Sequence, residues 1–129
     1  MRIKASFAVA AVVGLILAAI PVLAHHSFAA QFDENKPTTL TGPVTRIEWI
    51  NPHARLFMDV TDTVGKVTLW EVELGPPALL MRRGWTRNSL KIGETVTVKG
   101  SLAKDGSNLA NAVRVTLSNG RDVFAGTSG

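Results

Sequence analysis

The sequence contains no cysteine, no tyrosine and only three histidines. Without cysteine there is no disulfide staple, no thiolate nucleophile and no thiolate metal centre. Without tyrosine no phenol is available for the axial or protective roles that oxidative copper sites use. Charge of one sign is also scarce. Fourteen basic residues against ten acidic ones give a net charge of +4, and removing Arg2 and Lys4, which precede a long apolar run, leaves +2. That is no footprint for nucleic acid, and none is expected as a partner. The chain has neither a phosphate-cradling glycine loop nor a dinucleotide fingerprint. Ser27, Ser89, Ser101, Ser107, Ser118 and Ser128 lack a nucleophile-elbow setting, so a serine hydrolase is not expected.

The chain does have a segment built for export. Met1-Arg2-Ile3-Lys4 supplies a short positive start, residues 5–23 are almost wholly apolar, and Pro21 breaks the run just before Val22-Leu23-Ala24. A compact residue and then a small one at the end of that tripeptide fit a signal peptidase site. Residues 1–24 therefore read as a cleavable signal peptide. The mature chain starts at His25 and is periplasmic or secreted, with no membrane span after cleavage. The competing reading is an uncleaved anchor, because the apolar run is close to the ~18-residue minimum for a spanning helix.

Residues 25–39 are polar, carry Pro37 near their end, and read as an N-terminal arm. One domain is expected over 40–124, followed by a flexible tail over 125–129. Runs of β-branched and aromatic residues between turn signals mark its strands. The first covers 40–50, with a bulge or edge position at Gly42-Pro43 and a turn at Asn51-Pro52. The second, 54–61, puts Ala54, Leu56, Met58 and Val60 on one face and Arg55, Phe57 and Asp59 on the other. A hairpin loop over 62–66 leads to a third strand, 67–74, whose Trp70, Val72 and Leu74 share a face. Pro76-Pro77 can open a short helix over 78–83, closed by Gly84. Strands over 95–102 and 109–117 follow, the latter with Val113, Val115 and Leu117 on one face, and Val123-Phe124 forms a short last strand. Three strands, a short helix and two more strands are the order of an OB-fold. The expected class is mainly β: a small five- to six-stranded OB-like barrel with the helix between strands three and four. A small open sandwich is the alternative.

The motifs His25-His26-Ser27-Phe28-Ala29-Ala30-Gln31-Phe32-Asp33, Gly42-Pro43-Val44 and Glu48-Trp49-Ile50-Asn51-Pro52-His53 resemble a family of small exported bacterial proteins, the domain-of-unknown-function family 6152. Trp70-Glu71-Val72-Glu73, Gly84-Trp85 and Lys91-Ile92-Gly93-Glu94-Thr95-Val96 also fit. The resemblance spans nearly all of the mature chain. It implies a periplasmic or secreted location, and it carries over no catalytic residue.

All three histidines lie in the two most distinctive of these motifs. Cleavage before His25 gives that residue a free α-amine beside its own imidazole, and the two can chelate one metal ion. A second imidazole would complete a T-shaped set of three nitrogens resembling the histidine brace of copper proteins. Nitrogen ligands in a tetragonal arrangement favour Cu(II). His53 is the natural third ligand, since the loop after strand one is a usual ligand-binding loop of the OB-fold; His26 competes for the role. Asp33, Glu34 and Glu48 are candidates to orient a ligating ring, and Trp49 to shield the site. The plainer alternative is a solvated His25-His26 terminus, with His53 as a surface turn residue. Met58 and Met81 read as core.

Other groups have plainer readings still. Glu71 and Glu73 share the outer face of strand three and read as solvated rather than as an acid–base pair. Arg82, Arg83 and Arg87 around Trp85 read as a basic helix end complementing the helix dipole. Trp49 and Trp70 read as core, or as the lining of a binding face. The expectation is therefore a small periplasmic protein, more a binder than an enzyme. It would bind or handle copper through His25, His53 and perhaps His26, with no other cofactor. The alternative is a non-enzymatic OB-like module for a protein partner or small ligand.

Overall fold

The computed structural model describes residues 29–124. The expected signal, its cleavage junction, His25 and His26 lie outside these residues, as does the tail. The chain divides into two compact units, Met1–Gln31 and Phe32–Gly129. Of the first, only the helical residues 29–31 are described.

The second unit is mainly β. Its elements are β1 (Phe32–Glu48), β2 (Arg55–Thr61), β3 (Val67–Glu73), α1 (Pro77–Arg82), β4 (Thr95–Ala103), β5 (Leu109–Thr116) and β6 (Asp122–Phe124). One sheet holds all six strands in the order β3-β2-β1-β4-β5-β6, and β3 also pairs with β5. That pairing is parallel, over Glu71–Glu73 and Leu109–Asn111; the other five are antiparallel. Hydrogen bonding thus runs from β1 through β2, β3, β5 and β4 and returns to β1. Among the described residues no helix is long and apolar enough to cross a membrane.

β1 begins eight residues before the expected strand start, so the polar stretch from Phe32 onward is strand rather than arm. Phe32 pairs with Ala103 and Asp33 with Leu102, and pairing resumes only at Pro37 with Ser101. The intervening 34–36 bulge away, and the Asn35 N–H donates to the Asp33 side chain at 3.0 Å. Expulsion of three polar residues lets a segment without apolar alternation remain in a ladder. β1 also ends at Glu48, leaving Trp49 and Ile50 outside it.

Gly42 marks the place where β1 changes partners. Residues up to Pro43 pair with β4, and those from Val44 pair with β2. A Cβ on Gly42 would run into the Asp59 carbonyl oxygen, so only glycine lets the two strands cross this closely. The expected irregularity falls just beyond, between Val44 and Arg46. The extra residue, Thr45, brings Val44 and Ile47 to the same side despite their odd spacing.

The core combines Leu40 and Val44 of β1, Leu56 and Met58 of β2, Val72 of β3, Val96 and Val98 of β4, and Ala110, Ala112 and Val115 of β5, with Leu80 and Trp85 from around α1. Val113 is not among them; it is exposed. The β4–β5 register shifts between Lys99 and Gly100, so that Gly100 faces Ala112 and Lys99 faces Arg114. Val113 is the extra residue of that bulge and is turned outward. Met81, expected in the core, is also exposed, and Trp85 is buried rather than displayed among the arginines. Gly84 ends α1 with a φ of 90°.

Candidate functional site

The β2–β3 hairpin sets the geometry of the site. Its ladder pairs Thr61 with Val67 and runs without a break to Arg55 opposite Glu73. Backbone bonds extend it by one step: the Ala54 N–H donates to the Gly75 carbonyl and the Leu74 N–H to the Ala54 carbonyl. His53 is thus held at the mouth of the hairpin. It lies on the outward parity of Arg55 and Phe57, opposite the buried Ala54 and Leu56.

On that face His53 Nδ1 lies 3.2 Å from Glu73 Oε1, and Arg55 Nη1 lies 2.9 Å from Glu71 Oε1. The Glu73 side chain is only 15% exposed, against 36% for His53. Glu73 is therefore not the solvated strand residue its alternation suggested. Burial pushes its carboxyl above the usual range, while the charges of His53 and Arg55 oppose that rise. When Nδ1 carries the hydrogen and donates to Glu73, the Nε2 lone pair is left available. A carboxylate that orients an imidazole in this way is the usual outer partner of a ligating histidine.

The expected orienting residues are engaged elsewhere. Glu48 lies 3.4 Å from Arg46. Asp33 accepts from Asn35, and Glu34 is exposed in the adjoining bulge. The residue missed was Glu73, and the hairpin register would have found it. Trp49 packs partly buried against the core, as does Trp70. Next to the site Arg46 stacks over Phe57, 3.9 Å from the ring centroid. This explains how Phe57, on the outward side of β2, is nevertheless buried.

Of the three histidines proposed as ligands, only His53 is among the described residues. Within those residues no three His, Asp or Glu side chains gather closely enough to hold a metal ion by themselves. His53 and Glu73 form an oriented imidazole–carboxylate pair.

A family of unknown function, DUF6152, matches residues 11–112. The chain belongs to this family. The DUF6152 match includes His25, His26 and His53 as well as Glu71 and Glu73, and it stops inside β5, short of β6. No curated protein matches the chain.

Proposed function

We propose that the mature protein is a small exported copper-binding protein, in which the α-amine and imidazole of His25 join the imidazole of His53 around Cu(II). The observation that carries this reading is the contact of His53 Nδ1 with Glu73 Oε1 at 3.2 Å. A hydrogen bond from Nδ1 to this carboxylate leaves the Nε2 lone pair available, as a ligating histidine requires. A chain of nitrogen donors without thiolate suits Cu(II). His26 is the competing third ligand.

The closed pairing circuit, with α1 between β3 and β4, supports the reading of the scaffold as an OB-like barrel. His53 then occupies the loop between the first two strands, where such barrels hold ligands. A second reading is a non-enzymatic module that grips a periplasmic protein partner through the outer face of β3, and the exposure of Val67 and Leu69 on that strand favours it. The two separate on whether binding of a partner depends on copper.

The test is Cu(II) titration, with intact mass, of mature protein purified from the periplasm. It is compared with His53→Ala and with a version carrying one extra N-terminal residue. Both changes should weaken binding, and the mass should begin at His25. Wild-type affinity in both would overturn the proposal.

A further inference from the structure

We propose that Glu71 is a positioning residue for His53, acting by holding Arg55 away from Glu73. The consequence for metal binding rests on the reading of His53 as a ligand; the positioning itself does not.

The β2–β3 register places Arg55 directly opposite Glu73 and Phe57 directly opposite Glu71. Directly opposed side chains have Cβ atoms about 4.5–5.5 Å apart, against about 7–8 Å for diagonal neighbours. By position alone Glu73 is the nearer of the two β3 carboxylates for Arg55. The structure shows the other choice. Arg55 reaches diagonally to Glu71 at 2.9 Å, and Glu73 is left to His53 at 3.2 Å. Each carboxylate therefore serves one donor. A guanidinium–carboxylate bond is charge-assisted and outcompetes the N–H of a neutral imidazole. Once Glu71 is removed, two carboxylates stand directly opposite Arg55, Glu48 on β1 and Glu73 on β3, and Glu48 is already paired with Arg46 at 3.4 Å, so Glu73 is the one that takes Arg55. Arg55 then displaces the His53 ring. Glu71 thus controls the orientation of a ring it does not touch.

The test is the tautomer of His53 in metal-free protein, read from long-range ¹H–¹⁵N imidazole correlations. The pH is held near ~8.5, well above the usual ~6.5 of imidazole. His53→Ala assigns the signals, and the backbone amide spectrum reports folding of each variant. Wild type should carry its hydrogen mainly on Nδ1. Glu71→Thr should shift the hydrogen toward Nε2, because Glu73 is now taken by Arg55. Arg55→Thr should keep the wild-type tautomer, and Glu71→Thr combined with Arg55→Thr should restore it. If Glu71→Thr leaves the tautomer unchanged, or the double variant fails to restore it, the proposal is overturned. In the copper-loaded comparison, Glu71→Thr should lose about 10- to 100-fold in affinity, the scale of an outer-partner loss, and the double variant should recover it. Because the tautomer is read without metal, failure of the copper reading and failure of this one give different results.

Discussion

His53 Nδ1 sits 3.2 Å from Glu73 Oε1 across the mouth of the β2–β3 hairpin, and this contact joins a turn residue to a half-buried strand carboxylate. Glu73→Gln keeps the shape and removes the charge. Relief of the carboxylate's desolvation offsets the lost pairing, so stability should change by no more than about 1 kcal/mol. Cu(II) affinity should fall about 10- to 100-fold. Denaturant unfolding and metal titration on the same preparation separate the two. A large stability loss with unchanged affinity would make the pair a structural contact only.

Gly42 is the crossing point of β1 over β2, and a Cβ there meets the Asp59 carbonyl. Gly42→Ala must push the two backbones apart. Overpacking of this kind costs about 1–3 kcal/mol, and the denaturation midpoint should drop accordingly. An unchanged midpoint would show that the strands do not approach this closely.

Arg46 covers Phe57 at 3.9 Å on the outer face. Arg46→Ala should cost about 0.5–1 kcal/mol from the lost cation–π contact and should uncover the ring. Arg46→Met, which keeps most of the alkyl cover without the charge, should recover part of that loss in urea unfolding. Equal losses in the two variants would assign the effect to charge alone.

Asp122 ties β6 to β5. Its carboxyl lies below its ordinary 3.8, first because Thr116 donates to it and then because Arg114 does, with the Arg114 charge adding to both. A carboxyl lowered in the folded state stabilises above its unfolded value, and the contribution is lost as pH falls through the folded value. Wild type should therefore lose stability relative to Asp122→Asn as acidity increases below about pH 4. Parallel unfolding curves for the two proteins over that range would contradict the assignment.

Much of this fold could be read in the sequence because its strands alternate and its turns are marked by glycine and asparagine. Leu56, Met58, Val72, Val96 and Val98 are buried as their spacing predicts. Bulges are what alternation cannot show. Val113, Val115 and Leu117 share one parity, and Val115 and Leu117 are buried, yet Ala112 enters the core in place of Val113, because one extra residue lies between the two registers. The polar start of β1 was hidden for a related reason: it keeps its ladder only by ejecting 34–36. At the site, His53 could be found by residue type, but Glu73 required the hairpin register. Counting from Thr61 opposite Val67 places Arg55 opposite Glu73 and His53 just beyond. Alternation alone made Glu71 and Glu73 look equivalent, and the choice of partner by Arg55 is a property of the assembled face.

The central claim is that His53 completes a copper site begun by the processed N-terminus. The most direct measurement is the electron paramagnetic resonance spectrum of mature protein loaded with one equivalent of Cu(II), with the nitrogen superhyperfine pattern resolved and compared with His53→Ala. Three nitrogen ligands in wild type and one fewer in His53→Ala are predicted. An identical nitrogen pattern in the two proteins would contradict the account, because copper would then be bound without His53.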